Sequence, residues 1–206
     1  MQEATNVLYI HGSGQSCLSW NFYSIFLPEH NNLEVGYDVR ENIFSIRKRI
    51  LQETERFSNE PFSIVAHSYG CLIAALIAEA LPDQVENIIA LSPPWGGSHT
   101  AKWLGRVFRD NSLFSNTTPN SELLSHLNSA TYSTKLHNII TTGGSNVLAG
   151  LGSKPNDGMI TVESQEKIPT GFENPENEYV QFSHGEVLLS FDVVNIIKRI
   201  LFKETS

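Results

Sequence analysis

The sequence predicts an α/β fold, a compact, mostly parallel sheet of about six strands with helices on both faces. Three observations carry this expectation. Apolar runs alternate with amphipathic segments along nearly the whole chain. The runs are short and rich in β-branched and aromatic residues, as strands covered on both faces are. The chain has 206 residues of which 40% are hydrophobic, enough for one sizeable core, so 1–206 reads as a single domain.

Each element follows from its residues. Val7-Leu8-Tyr9-Ile10 opens a strand over Asn6–Ile10, and His11-Gly12-Ser13-Gly14 turns out of it. The second strand is expected over Leu33–Tyr37. Asn42 can cap a helix whose apolar face is Ile43, Ile46, Ile50 and Phe57. Phe62–Ala66 is the third strand. Tyr69 to Leu81 is apolar on nearly all sides until Pro82 halts it, which predicts a buried helix. Asn87–Leu91, Leu136–Thr142 and Glu178–Phe182 complete the strands. A closing helix over Glu186–Phe202 places Leu189, Val193, Ile196, Ile197 and Ile200 on one face.

From Pro93 to about Tyr132 the alternation lapses into short helical pieces, Thr100–Phe108 and Ser121–Leu127. An insertion of this length predicts a cap or lid, 93–132, beside a site. Gly143 to Asn156, rich in Gly and Ser, predicts a second loop at the site. No internal repeat or low-complexity linker interrupts the pattern.

A formal net charge of −8 argues against nucleic-acid binding, and Arg47-Lys48-Arg49 falls within a helix as a solvated face. The N-terminus has no basic segment or A-x-A site, and no stretch reaches the ~18 to 20 apolar residues of a membrane span. The expectation is a soluble, cytoplasmic protein without stable membrane insertion. Cys17 and Cys71 make neither a disulfide framework nor a metal site, and Cys71 reads as a buried free thiol in a reducing compartment. No feature of the sequence bears on oligomeric state.

The strongest chemical signal is Ser63-Ile64-Val65-Ala66-His67-Ser68-Tyr69-Gly70-Cys71. A strand runs into Ala-His-Ser-Tyr-Gly and then into an apolar helix, which matches the nucleophile elbow G-x-S-x-G with Ala66 at the first Gly. The turn is tight and strained, so small residues must flank the serine where strand and helix approach. The elbow projects the Ser68 hydroxyl at the start of a helix, where free N–H groups favour developing negative charge.

The order strand, His-Gly loop, helix, strand, helix, strand, Ala-x-Ser-x-Gly resembles the α/β-hydrolase superfamily over essentially the whole chain. It looks closest to the small bacterial lipases, which also carry Ala-His-Ser at the elbow. Ser92-Pro93-Pro94-Trp95-Gly96-Gly97 separately resembles the Pro-Trp-Gly-Gly segment of lecithin–cholesterol acyltransferase-like enzymes. The resemblance implies an α/β-hydrolase fold with no cofactor. It also implies an oxyanion hole made by the backbone N–H groups of Ser13 and Tyr69.

A triad on such a fold follows the order Ser, acid, His. The acidic candidates after Ser68 include Asp83, Asp110, Asp157 and Asp192. Asp157 is best placed, because Asn156-Asp157-Gly158-Met159-Ile160-Thr161-Val162 follows a strand and its loop and resembles the segment that carries the catalytic aspartate in many lipases. Asp83 suits a turn and Asp192 sits within the last helix. Among the histidines, His184 lies between the final strand and the final helix, where it can serve as general base. His67 is expected to point away from the nucleophile and pack, and His11 to shape the oxyanion loop. His30, His99, His126 and His137 read as surface or satisfied residues. No H-E-x-x-H or other ligand spacing occurs, so no catalytic metal is expected.

These residues describe acyl transfer through a covalent intermediate on Ser68, as in a lipase or carboxylesterase acting on a small-molecule or lipid ester. Trp95, Trp103 and Phe108, with Leu104, Leu113 and Phe114, could line a pocket for a hydrophobic acyl chain or simply pack the cap onto the body. Two alternatives stay open. One is an acyltransferase that passes the acyl group to an alcohol. The other is a non-catalytic binding protein on the same fold, which usually lacks a triad member, whereas this chain offers candidates for all three.

Overall fold

The computed structural model describes residues 5–98, 112–144 and 154–202. Six strands form one sheet in the order β2-β1-β3-β4-β5-β6, with every pair parallel. They are β1 (Asn6–Ile10), β2 (Asn31–Val35), β3 (Phe62–His67), β4 (Val85–Leu91), β5 (Lys135–Thr141) and β6 (Glu176–Val180). The helices in chain order are α1 (Asn21–Phe26), α2 (Ile43–Glu53), α3 (Tyr69–Ala80), α4 (Ser112–Thr117), α5 (Glu122–Ser129), α6 (Val162–Glu166) and α7 (Phe191–Phe202).

Parallel strands need crossovers, and the helices that make them cover both faces. On one face Ile64, Ala66 and Ile88 pack with α2 and α3. On the other, Tyr9, Val65 and Ile89 pack with Trp20, Tyr23 and α7. β3 is buried along its whole length, and α3 is buried from Tyr69 to Ala78. As expected, Asn42 caps α2 by accepting the Phe44 N–H (2.9 Å), and Ile43, Ile46 and Ile50 face the core.

The topology decides where a site can form. β1 pairs with β2 on one side and with β3 on the other, with Ile10 opposite both Val35 and Ala66. The loops leaving β1 and β3 therefore depart in opposite directions and open a crevice at the carboxyl edge of the sheet.

Four expectations shift. β2 ends before Gly36, because Tyr37 leaves the strand to stack on His11 (centroids 4.3 Å apart) and donate its hydroxyl to the His11 carbonyl. β6 begins at Glu176, whose carboxylate takes Lys135 Nζ at 2.6 Å and His137 Nδ1 at 2.9 Å, so its start is held by cross-strand charge that apolar patterning misses. The closing helix is two pieces. A 3₁₀ turn over Glu186–Leu189 stops at the extended Ser190, whose hydroxyl accepts the Val193 N–H (3.3 Å) and starts α7 afresh. Leu189 is consequently 67% exposed rather than on the apolar face, whereas Val193, Ile196 and Ile197 are buried. Finally, α5, capped by Ser121 through the Leu124 N–H (3.2 Å), sends Leu123, Leu124 and Leu127 into the same apolar cluster as α3. This part of the expected cap is a wall of the body, and the expected helix Thr100–Phe108 lies outside the described residues. Among the described residues no helix is long and apolar enough to cross a membrane.

Candidate active site

Ser68 stands between β3 and α3 with φ 52° and ψ −124°, a conformation that L residues rarely adopt. The turn is held by the Ser68 N–H donating to the Leu91 carbonyl (2.9 Å). Gly70 is required by a close approach, since a Cβ there would lie 2.5 Å from the carbonyl oxygens of both Ile10 and His11. The first turn of α3 thus rests on the carboxyl end of β1, which brings the His11–Gly14 loop against the serine. A Cβ on Gly12 would come 3.0 Å from that of Ser68.

His184 sits in the loop between β6 and the 3₁₀ turn. Its Nε2 is 2.9 Å from Ser68 Oγ, and its Nδ1 is 2.7 Å from Asp157 Oδ2. The His184 N–H also donates to the Asp157 carbonyl (2.8 Å), so the two loops are tied through backbone as well as side chain. Asp157 Oδ1 accepts the N–H groups of Met159 (2.9 Å) and Ile160 (2.7 Å), and Oδ2 accepts the Thr141 hydroxyl (2.7 Å). Burial alone would raise the Asp157 pKa. The hydrogen bond and charge of His184, the Ile160 N–H and the Thr141 hydroxyl outweigh it and hold the carboxyl below its usual value. An ionised carboxylate only accepts, so the proton of the His184 ring lies on Nδ1 and the Nε2 lone pair faces the serine hydroxyl.

His67 does more than the packing expected of it. Its ring is 1% exposed, with Nε2 2.8 Å from the His184 carbonyl and Nδ1 2.9 Å from Gln15 Oε1, which also accepts the Gly12 N–H (2.8 Å). Burial pushes its pKa down to about 3, with the neighbouring His184 adding to the effect. A neutral ring that bonds the His184 carbonyl carries its hydrogen on Nε2. His67 thereby ties the end of β3 to the loop after β6, and Gln15 Oε1, which accepts the Gly12 N–H, lies beside its Nδ1 lone pair. Among the described residues no acceptor takes the backbone N–H of Ser13 or of Tyr69, as the loop end and the helix start leave both free.

The other candidates separate cleanly. Asp83 and Asp192 are exposed, in a turn and in the first turn of α7. His30 meets the Tyr9 hydroxyl (2.9 Å), His126 pairs with Glu79 (3.0 Å) and His137 with Glu176. His11 stacks on Tyr37 beside the loop it was expected to shape. Trp95, expected to line a pocket, is instead 2% exposed and donates its Nε1–H to Asn138 Oδ1 (3.0 Å), so its ring is core. Asp110, His99, Trp103, Leu104 and Phe108 lie outside the described residues, as do the side chains of Leu113 and Phe114. Reasoning from sequence missed Gln15, Ser92, Thr141 and Gln165. Ser92 and Thr141 carried a usable signal, being polar residues at the carboxyl ends of apolar strands.

No protein-family profile matches the sequence. Over 110 residues, 44% of this chain, it is 27% identical to the probable lysophospholipase BODYGUARD 2 of Arabidopsis thaliana, of which it spans 23%. Phospholipase PlaB from Legionella pneumophila superposes with a TM-score of 0.65 at 14% identity, over 79% of this chain and 46% of that one. The mature lipase BlEst2 of Bacillus licheniformis gives 0.70 at 16% identity, over 98% of this chain and 93% of that one. This chain therefore spans less than half the length of the plant protein and of the phospholipase. The likenesses show that it has the α/β-hydrolase fold.

Proposed function

We propose that this chain is a serine hydrolase of carboxylic esters, of the lipase or carboxylesterase kind, that works through an acyl-enzyme on Ser68. The observation that carries the reading is the unbroken series Ser68 Oγ, His184 Nε2, His184 Nδ1, Asp157 Oδ2, with gaps of 2.9 and 2.7 Å, at the crevice where the strand order reverses. Its likeness to a lipase and a phospholipase fold supports it further.

In this mechanism Ser68 Oγ attacks the ester carbonyl carbon while its proton passes to His184 Nε2. The tetrahedral oxyanion takes hydrogen bonds from the N–H groups of Ser13 and Tyr69, where one such donor typically lowers the barrier by ~3 to 4 kcal/mol. Collapse breaks the bond to the alkoxide, which leaves with the proton from His184. Water then gives His184 a proton, attacks the acyl carbon and releases the acid, restoring Ser68. Asp157 stays ionised throughout and stabilises the imidazolium.

A fluorophosphonate probe tests the reading directly. The intact protein should label and Ser68→Ala should not; equal labelling, or none in the intact protein, refutes it. Product analysis with an ester and an added alcohol then distinguishes hydrolysis from acyl transfer.

A further inference from the structure

The Asp157 carboxylate is backed by three polar residues that the reaction just described does not use. Ser92 follows β4, Thr141 ends β5 and Gln165 lies in α6, and all three are 0% exposed. Thr141 Oγ1 lies 2.7 Å from Asp157 Oδ2, 2.8 Å from Ser92 Oγ and 3.2 Å from Gln165 Oε1. The Thr141 N–H donates to Gln165 Oε1 (2.8 Å), and Gln165 Nε2 donates to the Thr141 carbonyl (2.9 Å). That pair of bonds fixes the amide orientation and clamps the Thr141 backbone from both sides.

The protons can then be assigned. A threonine hydroxyl has one hydrogen, and three acceptors lie within its reach. The carboxylate is the charged one and takes it, because charge-assisted bonds are the stronger. Thr141 Oγ1 is left as an acceptor, and the buried Ser92 hydroxyl, 2.8 Å away, donates to it. The bonds then run one way, from Ser92 to Thr141 to Asp157 Oδ2, and each polarises the next. Ser92 reaches this place at a conformational cost, because its φ is 52°, the same value as that of Ser68.

Three buried polar groups and a strained backbone are a poor way to fill a strand end, where valine and alanine would pack without desolvation. Thr141 and Gln165 reach a single oxygen, Asp157 Oδ2, and Ser92 acts on it through Thr141. Without the Thr141 hydroxyl, Oδ2 would keep, among the described residues, only His184 Nδ1 and the long 3.4 Å contact to Gln165 Nε2.

We propose that Thr141, supplied by Ser92, is the positioning residue of the site, holding Asp157 Oδ2 in line with His184 Nδ1 and sharing the carboxylate's charge. This rests on the reading of Asp157 and His184 as acid and base. Among the described residues the ionisable group facing Asp157 is His184, and His67 is the one packed against His184. With one donor lost, less of the carboxylate's charge is shared and more of it is left to act on the imidazolium.

The test is kcat/KM for p-nitrophenyl acetate against pH in the full chain, with Tm measured alongside, for wild type, Thr141→Val, Thr141→Ser, Ser92→Gly and Ser68→Ala. Valine keeps the shape of threonine, and glycine accepts the positive φ of Ser92 without its hydroxyl. Thr141→Val should lose about tenfold in kcat/KM, the worth of one hydrogen bond to a charged group. The acid limb of its profile should move up by roughly half a pH unit. Thr141→Ser should recover both, and Ser92→Gly should shift the limb in the same direction by less. Wild-type values in Thr141→Val, a loss without movement of the acid limb, or no recovery in Thr141→Ser overturns the inference alone. Turnover that survives Ser68→Ala overturns the functional reading and this inference with it.

Discussion

The approach of α3 to β1 at Gly70 allows the elbow to be tested by a single methyl group. In a free helix Gly→Ala stabilises by ~1 kcal/mol, so helix propensity alone favours Gly70→Ala. The structure opposes it. The new Cβ would stand 2.5 Å from two backbone carbonyl oxygens, those of Ile10 and His11, where ordinary contact begins at 3.4 Å. Neither oxygen is the end of a flexible side chain, so β1 and α3 must part by nearly 1 Å, an overpacking that typically costs ~1 to 3 kcal/mol. The net result should be a loss of roughly 0 to 2 kcal/mol in urea unfolding. The His11–Gly14 loop moves with the β1 carbonyls, which displaces the Ser13 N–H, the proposed oxyanion donor. A misplacement of ~1 Å there should lower kcat/KM for p-nitrophenyl acetate by about 100-fold, mostly in kcat. If Gly70→Ala gains the full helix-propensity increment and keeps wild-type turnover, the close approach is not what shapes the site.

Three further outcomes are expected. Asp157→Asn should keep the fold and lose roughly two to four orders of magnitude in kcat, because an amide does not stabilise the imidazolium. The folded-state pKa of Asp157 is depressed, so its contribution to stability is complete above the ordinary carboxylate value near ~4 and is lost as pH falls through the depressed one. Urea midpoints measured downward from pH 5 should therefore fall less steeply in Asp157→Asn than in wild type. Trp95→Phe leaves the buried Asn138 Oδ1 without its donor and should cost ~1 to 3 kcal/mol with turnover nearly unchanged; lost turnover at wild-type stability would return Trp95 to the substrate pocket.

How far the sequence could be read follows from the range of the forces involved. The elbow was legible because its constraint is local. A tight turn between an apolar strand and an apolar helix demands small neighbours, and Ala66 and Gly70 supply them. Asp157 and His184 were legible from their order after the right strands, although nothing in their neighbours reveals that Asp157 is held by two backbone N–H groups. Periodicity failed where one polar residue decides the backbone. The apolar spacing runs through Ser190 without a break, yet its capping hydroxyl restarts the helix and turns Leu189 outward. Trp95 misled for the opposite reason. An aromatic in a segment without pattern suggests a pocket, and only the fold brings Asn138 of β5 to its Nε1.

The residues that escaped notice act across elements that meet only once the sheet has its register. With Ala90 opposite Asn138 and Leu91 opposite Ile139, the chain just beyond the end of β4 comes beside the end of β5, and Ser92 meets Thr141. A polar residue that closes an apolar strand of a parallel sheet points into the region where ligands collect, which makes Ser92 and Thr141 recoverable by rule. The same rule misses Gln165, which reaches the carboxylate from a helix on the far side of the Asp157 loop, and Gln15, which needs His67 beside it. Their roles arise from burial of polar groups that must then be satisfied, and burial is a property of the assembled fold.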